Sequence, residues 1–286
     1  EALLVPAAER LAGSLDSRAG LPASTDWWDE RSGMHAPVAG AVRGGLRGAA
    51  RIAASLGEAG RARAWSAAAD RIARALTGTL ASGPSGAFRR SLTPEGTTWR
   101  PDDTADASLL LLGLLDDFEP EDPRVRATVT EVKERLWVRT GTGGLARYER
   151  DPVGSVGGDV ASPVEVPGSP NVAATLWLAL HSIRAARRLQ DLEPARTILF
   201  LAAARAEGIG LLPERLHPYR GRTVGPAPSL VAHAWFVQAA VDYSEKVRIL
   251  TRCERCGEPA PARRERRRPG IQAHRAGLLP GVVADL

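Results

Sequence analysis

The chain has 286 residues, 44% hydrophobic and only 5% aromatic, with 25% charged, a formal net charge of +5 and a pI near 9.8. That length allows one large or two ordinary domains with a sizeable core, while the longest apolar runs, such as ASLLLLGLL, are far too short to span a bilayer. Two cysteines exclude a disulfide framework.

The basic character is local. From Lys246 onward ten Lys or Arg face four Asp or Glu, whereas residues 1–245 carry 28 basic and 29 acidic side chains. The body is therefore near neutral and gives no reason to expect a nucleic-acid partner. No secretory signal pattern is present, so the cytoplasm is the expected compartment. The first residue is Glu1 rather than Met, which suits a processed or partial chain.

Helical periodicity dominates in chain order. EALLVPAAERLAGSL predicts a helix ended near Gly13–Asp16, APVAGAVRGGLRGAARIAASLGE one ended at Gly57, and GRARAWSAAADRIARALTGTL a third after almost no linker, hence a helical hairpin. DTADASLLLLGLLDDF is apolar nearly all round and reads as a buried helix. DPRVRATVTEVKERLWV opens with Asp122 in the capping position and Pro123 at the first helical position. Residues 140–170 are dense in Gly, Pro and Ser, a loop of functional or disordered length. Helices resume with NVAATLWLALHSIRAARRL and with LEPARTILFLAAARAE, the latter expected to be capped by Asp191. The loop GIGLLPERLHPYRGRTVGPAPS leads to a last helix, LVAHAWFVQAAVDYSEKVRIL. About eight helices with no convincing strand series predict an all-α fold of stacked hairpins. From about Thr251 the chain turns basic and Pro/Arg-rich, with little periodicity, and reads as a disordered tail, giving 1–250 as the folded domain and 251–286 as the tail.

Two constellations can carry chemistry. In STDWWDERSGMH, Trp27 and Trp28 stand against Asp29 and Glu30. Tryptophan faces stack on sugar rings, and a tryptophan beside a carboxyl lowers the local dielectric and favours its protonated form, as a general acid for glycosidic cleavage requires. The plainer reading makes both tryptophans core residues, with Asp26, Asp29 and Glu30 capping the next helix. In GLLPERLHPYRG, Glu214 sits in a loop between rigid neighbours and can serve as a general base acting through water; taken alone, the segment reads better as a solvated loop glutamate.

These two segments, with DASLLLLGLL, DPRVRATVTEV, GGLARYERD and SPNVAATLWLAL, occur in the order found in glycoside hydrolase family 15, which the chain resembles over roughly 3–245. The family comprises glucoamylases, glucodextranases and prokaryotic trehalases. The resemblance implies an (α/α)6 barrel, a six-hairpin toroid, incomplete here at its N-terminus, and an inverting hydrolase of α-glucosides that needs no cofactor or metal. By position it places Asp29 as the general acid, Glu214 as the general base and Glu30 as a substrate-binding acid. Arg147 and Tyr148 would line the site beside Arg215, and Trp28 would wall the sugar pocket. Three positions depart from the family pattern: Asp29 stands where Glu is usual, Asn171 replaces an aromatic residue, and Arg215 replaces the Gln after the base. Asp29, Asn171 and the absence of the family's early Arg-Asp motif motivate the alternative of a catalytically impaired carbohydrate-binding or interaction module.

Other motifs point elsewhere. DDTAD (Asp102, Asp103, Asp106) matches a diphosphate-binding pattern of all-α prenyl-transferring enzymes, but lacks a second motif; acids clustered after Pro101 also favour a helix N-terminus. CERC (Cys253, Cys256) supplies half a zinc site, with only His274 following. The arginine run at 263–268 could meet phosphates or acidic membranes, yet no aromatic residue follows Tyr243 to stack on bases. His35, His217 and His233 read as holding loops or sugar hydroxyls rather than a metal. The expected partner is thus a small carbohydrate, with neither nucleic acid nor membrane, and the oligomeric state stays open.

Overall fold

The computed structural model describes residues 3–81, 83, 85–115, 118–153 and 165–252. Cys253, Cys256, His274, the arginine run and the rest of the basic tail lie outside the described residues. No helix among the described residues is long and apolar enough to cross a membrane.

The chain divides into two compact units, Glu1–Trp137 with Leu145–Pro152, and Val138–Gly144 with Val153–Leu286. In the first, helix α1 (Leu4–Gly13) packs on the hairpin of α2 (Ala36–Ser55) and α3 (Ala59–Ala75). Pro37 suits the first turn of α2, where an amide hydrogen would lack a partner. Gly57 ends α2 with a left-handed residue (φ 79°), which glycine adopts without a Cβ penalty. Alanines dominate the facing sides: Ala39, Ala49, Ala50 and Ala53 of α2, and Ala68 and Ala69 of α3, are buried in one cluster with Leu46, Ile72 and Leu76. Small residues let the helices approach, and each large aliphatic side chain buried contributes about 1.5–3 kcal/mol. Helix α5 (Pro123–Leu136) starts as its sequence predicts, with Asp122 accepting from the Arg124 amide.

Two features of this unit depart from the sequence reading. The expected helix over 103–118 is a 3-10 turn, Ala107–Leu111, running into the single turn of α4, Leu112–Leu115. The run is too uniformly apolar for periodicity to separate a buried turn from a helix. A sheet with order β1-β2-β3-β4 is also present, built from β1 (Ser24–Thr25), β2 (Ser32–His35), β3 (Ser91–Glu95) and β4 (Thr98–Asp102). Pro94 and Pro101 disguise the β3–β4 hairpin, because proline argues against a strand unless the strand is short or at an edge. Pro101 therefore lies in a strand and starts no helix. Asp102 ends β4, Asp103 pairs with Arg89 at 3.2 Å, and only Asp106 caps, accepting from the Ser108 amide.

The second unit centres on α6 (Val172–Ala185), buried along almost its whole length, as a helix apolar on all sides must be. Helices α7 (Glu193–Ala204) and α8 (Leu230–Leu250) pack on it, and Trp177 meets Trp235 edge to face at 6.0 Å. Asn171 caps α6 through the Ala174 amide, and Ser229 caps α8 through Ala232. The cap expected of Asp191 is displaced: its carboxylate accepts from the Arg187 and Arg188 amides, ahead of a 3-10 turn that precedes α7. Strands β5 (Arg215–Leu216) and β6 (Thr223–Val224) form a two-stranded ribbon.

Candidate active site

The segment 26–31 folds around one carboxylate. Asp26, 5% exposed, accepts on Oδ1 from the amides of Trp28 (3.1 Å) and Glu30 (2.9 Å), and its own amide donates to the Arg31 carbonyl at 2.8 Å. The tight turn is completed by the Asp29 amide donating to the Asp26 carbonyl at 3.1 Å, and it carries Asp29 into the left-handed region, φ 57°. Asp and Asn tolerate that region better than most residues. Burial alone would raise the Asp26 pKa, but the Glu30 amide, the Arg90 charge and the Trp28 amide outweigh it and hold the carboxyl below its usual range. Asp26 therefore organises the loop. It caps no helix, since α2 begins after β2 and has His35, without a side-chain bond, at its N-cap.

Asp29 is exposed at the loop's tip, with the Thr25 hydroxyl donating to Oδ1 at 2.9 Å. Glu30 is engaged on both oxygens: Arg147 Nη2 donates to Oε1 at 2.8 Å, and the Tyr148 hydroxyl donates to Oε2. The structure thus joins Glu30 to Arg147 and Tyr148, residues from segments more than a hundred positions apart that the family resemblance assigns to one site. Asp151 takes the Nε–Nη2 edge of Arg147 through two bonds of 2.7 Å, sharing Nη2 with Glu30. Burial works against the Arg147 charge, but Asp151 and Glu30 outweigh it, so the guanidinium stays ionised.

Trp28 is half-buried, with Arg147 stacked on its ring at 5.2 Å. Its indole Nε1 donates to Asp106 at 3.0 Å. Burial drives the Asp106 carboxyl upward, against the opposing pull of Arg90, Ser108 and Trp28. His35 is also buried, and burial lowers its pKa; its Nε2–H donates to the Arg31 carbonyl at 3.0 Å, closing the loop from below.

Tyr148 is pushed up to about 12 by burial and by its bond to Glu30. A raised pKa contributes stability that is complete below the unfolded value, near 10, and is lost as pH rises through about 12. Spectrophotometric titration of the three tyrosines should show one ionising near pH 12, and Tyr148→Phe should remove that step and flatten the alkaline loss of stability. A variant with the late step intact would place it elsewhere.

In the second unit, the loop that carries Glu214 is tied down along its backbone. The Val172 amide donates to the Glu214 carbonyl at 3.0 Å, the Leu216 amide to the Pro170 carbonyl at 2.9 Å, and the Glu214 amide to the Pro226 carbonyl at 2.9 Å. His233 Nδ1–H donates to the Ser229 carbonyl at 2.8 Å, which leaves Nε2 to accept the Leu212 amide at 3.2 Å. His217, fully buried, accepts the Tyr219 and Arg220 amides on Nδ1. Both histidines hold loops, as expected. Against this frame the Glu214 side chain remains 35% exposed, with Arg215 Nε 3.4 Å from Oε1. The Arg215 guanidinium lies flat against Gly225 (φ 84°), where a Cβ would stand 2.9 Å from Nη2. Arg215 is thus an ion-pair partner of Glu214, and Asn171 is the cap of α6.

Trp28, Asp29, Glu30, Arg147 and Tyr148 belong to the first unit, Glu214 and Arg215 to the second. Asp26, Arg90, Asp106 and Asp151 are the residues the sequence reading missed as site components. Asp151 had a signal, four residues beyond Arg147 within GGLARYERD; Arg90 had none. Among the described residues no group of three or more His, Cys, Asp or Glu is placed to hold a metal ion.

The model of the glycosyl hydrolases family 15 matches residues 17–189. Among solved structures, the chain is similar to a bacterial glucoamylase complexed with acarbose, with a TM-score of 0.69 and 21% identity over 85% of this chain and 38% of that one. It is also similar to the glucoamylase from Saccharomycopsis fibuligera (TM-score 0.65, 15% identity, 85% of this chain and 61% of that one) and to the family 15 glucoamylase from Hypocrea jecorina (TM-score 0.55, 15% identity, 82% and 46%). The chain therefore spans between about two-fifths and three-fifths of these proteins, and its all-α fold is that of their helical-hairpin toroid. No curated protein sequence matches it.

Proposed function

Because the chain belongs to glycosyl hydrolase family 15, we propose that it works in the cytoplasm as an inverting hydrolase of small or short-chain α-glucosides, such as trehalose or a maltooligosaccharide. Asp29 donates a proton to the glycosidic oxygen as the C1–O bond breaks. Glu214 removes a proton from a water that attacks C1 from the opposite face, releasing the sugar with inverted configuration. Such a pair requires its carboxyl groups about 6.5–9.5 Å apart. Glu30 and Arg147 bind sugar hydroxyls, and Trp28 stacks on a ring face. The reaction needs no cofactor.

The observation that supports this most is the bonded set of Glu30, Arg147 and Tyr148 beside Asp29. With both Glu30 oxygens engaged and Asp29 exposed, the shorter acid is the one available to a leaving group. The acarbose bound to the similar bacterial glucoamylase supports a carbohydrate ligand. A second reading, a binding module without turnover, is favoured by the short acid and by the Arg215–Glu214 ion pair.

Reducing-sugar assays on maltose and trehalose, run beside calorimetry, separate the two. Hydrolysis releasing β-glucose first, followed by NMR, supports the enzyme; binding of either sugar with no release favours the module. Neither binding nor release would remove both.

A further inference from the structure

Arg90 stands at the junction of three segments. It immediately precedes β3, its side chain is 4% exposed, and its guanidinium approaches three carboxylates: Asp26 Oδ2 from Nη2 at 3.3 Å, Asp106 Oδ2 from Nε at 3.1 Å and Asp102 Oδ2 from Nη1 at 3.5 Å. Nε makes its approach as an ion pair rather than along a hydrogen-bond direction. The Tyr148 ring lies 5.0 Å from Cζ. The charge of Arg90 is therefore the common counterion of two acids that water scarcely reaches, Asp26 and Asp106.

Those two acids hold the same loop from two sides. Asp26 accepts the amides of Trp28 and Glu30, and Asp106 accepts the indole Nε1–H of Trp28. Between Trp28 and Glu30, whose amides Asp26 holds, stands Asp29 with its left-handed backbone, φ 57°. The planar fork of an arginine can serve several carboxylates in fixed directions, which the point charge of a lysine cannot.

We propose that Arg90 is a positioning residue: without touching sugar, it sets the direction of Asp29 by locking Asp26 and Asp106 against the 26–31 loop. This rests on the reading of Asp29 as the general acid. A loss of about 1 Å in such placement lowers rates about 10²-fold, and the loss falls on the step the acid serves. A substrate whose leaving group departs without a proton is spared.

The test compares Arg90→Lys with the unmodified protein on maltose and on α-D-glucosyl fluoride, together with hydrogen exchange over residues 26–31 in the absence of sugar. The expected result is about a 10²-fold fall in kcat/KM for maltose, carried by kcat, with only a few-fold change for the fluoride. Faster exchange at the Trp28 and Glu30 amides should accompany it, while the α2 and α3 amides keep their protection. Equal losses on both substrates, or unchanged exchange at Trp28 and Glu30, would overturn the proposal.

If the lysine variant does not fold, Asp106→Asn keeps the shape and removes one of the charges that Arg90 balances. It should show the same selective loss at about 10-fold, following the same geometric sensitivity, and equal losses again count against the proposal. Should the unmodified protein hydrolyse neither substrate, the hydrolase reading fails, and the exchange measurement still decides whether Arg90 holds the loop.

Discussion

Glu214→Gln should reduce glucose release by about 10²- to 10⁴-fold, the range supplied by a general base, and leave the fold intact. Glutamine keeps the size of the side chain and an oxygen for Arg215 Nε, which lies 3.4 Å from Oε1. None of the bonds that secure this stretch uses the carboxylate, because the contacts to Val172 and Pro226 are made by the Glu214 main chain. The amide cannot take a proton from water, so chemistry is lost while binding survives. The measurements are initial rates on maltose or trehalose, circular dichroism, and calorimetric affinity. Release of glucose at the unmodified rate would take Glu214 out of the mechanism; a collapse of helicity would make its role structural.

Asp29→Asn should be nearly as severe on natural glucosides, again about 10²- to 10⁴-fold, and far milder on α-D-glucosyl fluoride. Asparagine is at home in the left-handed region, so the turn at φ 57° and the bond to the Asp26 carbonyl should persist. The same backbone explains why the usual glutamate is not a simple improvement here. An Asp side chain is about one methylene shorter, but a longer acid would start from a conformation it adopts less readily. If Asp29→Asn lost equal activity on both substrates, Asp29 would be an ordinary binding or folding residue. If it lost none, Glu30 would have to be reconsidered.

Much of this architecture was readable beforehand because helices announce themselves locally. Asp122–Pro123 start a helix as the sequence indicates, and Gly57 stops one; the caps at Asn171 and Ser229 came only with the structure. The β3–β4 hairpin was hidden by its prolines, and the 103–118 run by its lack of polar punctuation. Within the site, the residues with distinctive neighbours, Asp29, Glu30, Arg147 and Glu214, stood out through their motifs. Arg90 could not, because an arginine preceding SLTPEG looks like any surface arginine. Its meaning comes from three carboxylates brought to it by tertiary structure. Asp26 was visible, but as a helix cap. Only the path of the chain through β2 shows that its amide partners belong to the loop it begins.

The lashing of residues 212–216 to the starts of α6 and α8 bears on heat tolerance. The peptide carrying Glu214 shares its bonds with Val172 and Pro170 on one side and with Pro226, Ser229 and His233 on the other. It has no loose hinge of its own to melt first. Thermal inactivation at this position should therefore coincide with the cooperative melting of the α6–α8 packing, where a freely swinging loop would fail many degrees earlier.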